Sequence, residues 1–172
     1  TAWLVALARL GGFAGAPHAL ARACVAIEGA TDPLMFDNPD RLLWASRQAR
    51  ILQTLPAPPR AEIVGGFWGT PQRTDPDDDA FPDIADLIPR WRAACTADDL
   101  NAAAQVASLS AVRCTDLRGP DDPMRALCRK LGALGHLRAH TGSARGLIFA
   151  PGTVPEGAKA ALREAHARLF AG

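Results

Sequence analysis

A chain of 172 residues that is 48% hydrophobic and carries a formal charge of +1 is long enough to bury one ordinary core or two small ones. That near-balance of charge excludes the clustered Lys and Arg surplus that phosphate neutralisation needs, so nucleic acid is not an expected partner. No apolar run reaches the roughly 18 residues of a membrane span, and the opening Thr1-Ala2-Trp3-Leu4-Val5-Ala6-Leu7 lacks the basic flank of a secretory leader, so no membrane is expected either.

Thr1 to Leu10 is predicted as a helix closed by Gly11-Gly12. An apolar helical pattern that opens with neither Met nor cap ahead of it is expected to be part of a longer protein. A second helix is predicted from Pro17, a residue suited to a first helical turn, with Leu20, Ala21, Cys24 and Ile27 on one face. Gly29 ends it, and Ala30-Thr31-Asp32-Pro33 follows as a loop, because a residue before proline is turned away from helix. From Leu34 to Leu55 the periodicity is mixed, with Ile51-Leu52 a candidate short strand. Pro56-Ala57-Pro58-Pro59 then forms a stiff connection, and Ala61–Trp68 is predicted as a strand whose glycines mark a bulge or close approach.

An acidic stretch from Asp75 to Asp83 leads into a mainly helical second half. Thr96-Ala97-Asp98-Asp99 resembles a capping arrangement ahead of Leu100, Ala103, Ala104 and Ala107. Asp122-Pro123 offers an N-cap and an N1 proline ahead of Met124, Leu127, Cys128 and Leu131. Thr153-Val154-Pro155-Glu156 reads as a capping box opening a last helix with Ala158, Ala161, Leu162, Ala165 and Leu169. Between these helices, His136–His140 and Leu147–Ala150 are predicted strands joined by a hairpin. Helices beside a small antiparallel sheet make an α+β, two-layer arrangement.

The four cysteines, Cys24, Cys95, Cys114 and Cys128, form no C-x-x-C pair, and three lie in apolar helical patterns. They are expected to be reduced structural thiols in a reducing, cytoplasmic setting. Asp75-Pro76-Asp77-Asp78-Asp79 invites a calcium reading, but Ala80 stands where an EF-hand loop needs Gly, and Asp86 where it needs Glu. A solvated turn is the expectation there.

Two segments carry potential chemistry. His140-Thr141-Gly142-Ser143-Ala144-Arg145-Gly146 combines glycines, hydroxyls and backbone N–H groups that could meet a ligand, or forms an ordinary hairpin with glycines at positive φ. Glu28 and Asp32, four residues apart at a helix end and in its loop, could share Mg2+ or take a proton from a substrate hydroxyl, or simply end a helix with a turn Asp.

Taken in order, Glu28-Gly-Ala-Thr-Asp32-Pro-Leu-Met-Phe-Asp37, Ile63-Val-Gly-Gly66, Gln105-Val-Ala-Ser-Leu-Ser-Ala111 and Gly135-His-Leu-Arg-Ala-His140-Thr-Gly-Ser-Ala-Arg-Gly146-Leu-Ile-Phe resemble the GHMP kinase superfamily. Within it, the nearest resemblance is to the L-threonine kinase and propanediol-utilisation branch, which makes threonine phosphate for the cobalamin side chain. The resemblance implies ATP and Mg2+, a small-molecule substrate and a C-terminal lobe with ferredoxin-like βααβ elements over 58–172. Residues 1–57 would then be the helical remainder of the N-terminal lobe with the catalytic loop.

Carried residue by residue, the resemblance makes Asp32 the proton acceptor and Glu28 a magnesium ligand. It places Thr31, His140, Thr141 and Ser143 at the substrate, and Thr1, Gly142 and Gly146 at the nucleotide. Thr1-Ala2 matches the tail of the family's Gly-Ser-Ser-rich phosphate loop, the rest of which is not in this sequence. The branch more often reads Ala-His-Ser-Gly-Thr where this chain has Ala139-His-Thr-Gly-Ser143, and has an acidic residue where Trp3 stands. The missing N-terminal half is expected in cis or from another chain, with a homodimer as a further arrangement. The fragment by itself is expected to be inactive. The alternative is a non-catalytic small-ligand-binding or interaction module on the same lobe.

Overall fold

Pro17 opens one helix and Gly29 closes it: proline's fixed φ suits a first turn, and Gly29 adopts the left-handed φ of 76° that ends a helix without side-chain cost. The computed structural model describes residues 1–69, 75, 78, 80–119, 122–165 and, for the backbone alone, 168–169. The chain divides into two units, the first Thr1–Ala57 with Asp75 and Asp78, the second from Pro58 onward.

In the first unit, α1 (Ala2–Leu10) and α2 (Pro17–Glu28) precede a short 3-10 turn and a hairpin, β1 (Leu42–Ala45) with β2 (Arg50–Thr54). The mixed periodicity of Leu34–Leu55 therefore resolves into a two-stranded ribbon, bulged between Leu43 and Trp44. Val5, Ala21, Cys24, Met35 and Ala49 form the core of this unit, with Phe36 and Trp44 packed against it and edge to face with each other. Ile27, predicted for the buried face of α2, is instead 66% exposed in the last turn of the helix.

In the second unit, β3 (Glu62–Phe67) is followed by α3 (Leu87–Thr96), α4 (Leu100–Arg118) and α5 (Met124–Leu131). Then come the hairpin β4 (Gly135–Arg138) and β5 (Ala144–Phe149), α6 (Ala158–Glu164) and β6 (Arg168–Leu169). The sheet runs β4-β5-β3-β6, antiparallel throughout. Strands first and third in this series lie side by side at the centre, the second and fourth at the edges, which is a split βαβ order. The unit is α+β. Leu147 and Phe149 on β5 bury against Met124 and Leu127 of α5 and Ala161 and Leu162 of α6.

Local side-chain bonds explain two of these starts. Asp99 accepts the Ala102 N–H at 3.0 Å to begin α4. Asp122, one position ahead of the boundary residue Pro123, accepts the Met124 N–H at 3.1 Å where α5 begins. The predicted box at Thr153 does not form. The Thr153 hydroxyl donates to Ala150 O at 2.9 Å in a turn after β5, and the helix starts only at Ala158. Leu169, predicted on that helix, belongs to β6 and pairs with Gly66, because the open edge of β3 supplies a ladder that the helix cannot.

The other edge strand, β4, is covered by α4. Gly135 lies so close that an added Cβ would sit 2.3 Å from Ala104 O, and the His136 N–H donates to Ser108 Oγ at 3.0 Å. All four cysteines are free thiols. Among the described residues, no helix is long and apolar enough to cross a membrane.

Candidate functional site

Within the first unit, α1 and the α2–loop junction bring together three residues to which the family resemblance gives nucleotide, metal and catalytic roles. Thr1 sits at the N-cap of α1, yet its hydroxyl caps nothing there. It donates to Glu28 Oε2 at 3.0 Å and accepts the Asp32 N–H at 3.3 Å. The loop beyond Gly29 is held by Thr31, whose N–H donates to Ser46 O at 3.0 Å and whose carbonyl accepts the Trp44 indole N–H at 2.7 Å. Asp32 is exposed. Thr31, expected at the substrate, is 2% exposed and acts as the anchor of the Asp32 loop.

In the second unit, residues 139–143 close the β4–β5 hairpin, and the carbonyls of His140, Gly142 and Ser143 are drawn into the fold. The Cys114 thiol points at His140 O (3.6 Å), Arg145 donates to Gly142 O at 3.0 Å, and the Trp68 N–H donates to Ser143 O at 2.7 Å. The opposite groups are left over: the N–H of His140, Gly142 and Ser143, and the Ser143 hydroxyl, make no hydrogen bond among the described residues. Unbonded N–H groups are the kind of donor an anion takes. Thr141 is half-buried in the same loop.

Neither Gly142 nor Gly146 has positive φ, which removes the simple-turn explanation for these glycines. A Cβ at Gly142 would meet only Ala139 Cβ, at 3.7 Å, so the backbone there does not require glycine. Gly146, expected at the nucleotide, is instead buried in the middle of β5, where a Cβ would lie 3.1 Å from Ile63 and 3.2 Å from Leu137. Its smallness serves the contact between adjacent strands.

Beside the loop lies a buried ion cluster that residue spacing along the chain does not mark. Arg145 Nε donates to Asp122 Oδ2 at 2.6 Å, and Arg138 Nη1 stands 4.0 Å from the same carboxylate. Their side chains are 6–8% exposed. The two guanidiniums share this carboxylate, and burial pushes the Arg145 pKa down. The only local signal was Asp122-Pro123, which reads as a helix start. The carboxylate serves that start and the ion cluster together.

His140 is half-buried, its Nε2 3.5 Å from Ser110 Oγ and its ring edge-on to Phe81. Burial, and then the cations Arg118 and Arg138, hold its pKa below the ordinary histidine value, so the ring is neutral at pH 7.

Among the described residues no group of three or more His, Cys, Asp or Glu is arranged to hold a metal. Of the acidic stretch read against a calcium loop, Pro76, Asp77 and Asp79 lie outside the described residues. Comparison with protein-family models gives no match, and no curated protein matches the chain.

Proposed function

We propose that this chain is the C-terminal portion of a GHMP-type kinase that phosphorylates a small hydroxylated amino acid, L-threonine being the favoured substrate, in cobalamin side-chain synthesis or propanediol utilisation. The observation that carries the reading is the hairpin loop 139–143, where the carbonyls of His140, Gly142 and Ser143 are tied inward while the N–H groups of the same residues remain available to phosphate oxygens. The split βαβ order of the second unit supports it independently.

Mg2+–ATP, when bound, supplies the transferred phosphoryl group and neutralises its developing charge. Asp32 accepts the substrate hydroxyl proton on its exposed carboxylate, while Thr1 and Thr31 fix the loop that carries it. Glu28 would hold the metal. His140, Thr141 and Ser143 orient substrate hydroxyl and carboxylate groups, and Gly142 leaves room for a phosphate. Catalysis of this kind rests on positioning and charge neutralisation more than on covalent chemistry.

On α1, Trp3 (82% exposed), Leu7 (60%) and Leu10 (86%) form an apolar stripe at helical spacing. The kinase reading assigns its cover to the N-terminal half of the enzyme, in cis or on another chain, or to a second copy. The protein acts in the cytoplasm, consistent with four free thiols.

An ADP-release assay on the whole encoded protein, with threonine, serine and homoserine, tests the assignment. Turnover that falls by about 10²-fold or more in Asp32→Asn, with ATP binding kept, supports both the activity and the role of the carboxylate. Absence of turnover on all three substrates counts against the activity. Calorimetric binding of threonine without any binding of Mg2+–ATP would favour a non-catalytic ligand-binding module instead.

A further inference from the structure

The second unit contains a groove that the kinase reading does not use. It is an open groove of about 400 Å3 lined by Gln105, Ser108, Leu109 and Val112 of α4, Arg125 of α5 and His136 of β4. The α4 residues recur at the i, i+3, i+4, i+7 spacing of one helix face. The volume lies within the usual range for small-molecule sites.

Two of its polar side chains are uncommitted among the described residues. His136 is only 8% exposed, and its backbone N–H is taken by Ser108 Oγ at 3.0 Å. Its ring makes no hydrogen bond or ion pair among the described residues, and its nitrogens are not sealed from solvent, so they can be reached from the groove. The exposed Arg125 guanidinium likewise has no partner among the described residues. No acidic side chain among the described residues lines the groove. Ser108, by contrast, is fully used: its hydroxyl donates to Ala104 O at 2.8 Å and accepts from His136.

We propose that this groove binds a small organic oxyanion, a carboxylate or a phosphate ester, with its charged end between Arg125 and His136 and its apolar body against Leu109 and Val112. Arginine offers donors only, a neutral imidazole offers one, and the Gln105 amide is an adaptable third, so the groove presents donors where an anion would sit. Leu109 and Val112 supply the apolar wall that inorganic ions would leave unused. The groups around His136 agree. Burial holds its pKa below the ordinary value, the Arg125 cation pushes the same way, and Asp122 opposes them. The α4 lining is uncharged, and the residue opposite on β5 is Leu147. An anion seated beside the ring would reverse this balance and raise the pKa.

The test is NMR on the isotopically labelled 172-residue chain, following the His136 ring and the Leu109 and Val112 methyl groups. Phenyl phosphate and benzoate serve as the two anionic probes with an apolar body, and inorganic phosphate as the anion alone. The expected result is saturable shifts of all three residues at millimolar phenyl phosphate or benzoate, with the His136 titration midpoint raised. The tighter of the two probes identifies phosphate or carboxylate as the recognised group. Arg125→Gln, at an exposed position, keeps the fold and weakens binding by roughly fivefold or more. No shift at these residues with either phenyl probe overturns the proposal. So does unchanged affinity in Arg125→Gln, or inorganic phosphate binding as well as phenyl phosphate.

Discussion

Gly135→Ala isolates the contact on which the α4–β4 edge depends. The new Cβ would lie 2.3 Å from Ala104 O, 2.7 Å from Ser108 Oγ and 2.9 Å from the Ala104 carbonyl carbon, where ordinary contacts begin near 3.4 Å. Two of these three atoms are backbone, so relief requires strand and helix to part by about 1 Å, a displacement of the kind that overpacking costs at about 1–3 kcal/mol. That separation also breaks the Ser108–His136 hydrogen bond, worth about 1 kcal/mol. The stiffer alanine returns about 0.4–1 kcal/mol through the unfolded chain. The net expectation is a loss of about 2–3 kcal/mol, and a fall in Tm of about 4–12 °C for a chain of this size. Urea and thermal denaturation followed by circular dichroism measure it. Gly142→Ala is the matched control: its Cβ meets only Ala139 at 3.7 Å, so stability should stay within about 0.5 kcal/mol of wild type. A Gly135→Ala protein as stable as that control would refute the close-approach argument.

Asp122→Ala removes the carboxylate shared by two buried guanidiniums and its bond to the start of α5, and should cost about 3–5 kcal/mol by urea denaturation; a loss below about 1 kcal/mol would mean the cluster is solvated. Ser143→Ala should leave stability unchanged while weakening threonine binding by the whole encoded protein measured by calorimetry, since the hydroxyl bonds nothing among the described residues. The pH dependence follows from His136 and His140, both held below the ordinary histidine value of 6.5 chiefly by burial. The unfolded chain then binds more protons than the folded one just below pH 6.5, so stability is complete above that pH and declines as pH falls through the window between the unfolded and folded values. Stability measured from about pH 7 down to about pH 5 should fall, and His136→Gln should flatten the slope. A flat wild-type profile would contradict the burial of both rings.

Much of the secondary structure was legible because its signals are local. Pro17 and Gly29 bound α2, Asp99 and Asp122 bond the first turns of their helices, and the β4–β5 hairpin is framed by apolar strands on both sides of a glycine-bearing loop. Such features involve residues within a few positions of one another, and their chemistry can be read in order along the chain. The misreadings have the opposite character. Thr153 and Glu156 have the spacing of a capping box, yet Thr153 turns back to Ala150, and Leu169 leaves the helical register to pair with the sequence-distant Gly66. Periodicity cannot weigh an edge ladder supplied by a distant strand.

The candidate site divides the same way. Asp32, Glu28 and the loop 139–143 were marked by residue type and spacing. Their surroundings came from tertiary structure: Thr1 bonded to both Glu28 and the Asp32 backbone, Thr31 buried as an anchor, and Gly146 placed inside a strand. Which of the hairpin loop's carbonyls are bonded depends on Cys114, Arg145 and Trp68, which reach it from α4, β5 and the end of β3. Sequence determined which residues could donate or accept; only the packing of those three elements decided which carbonyls were already satisfied, and therefore which donors were left for a ligand.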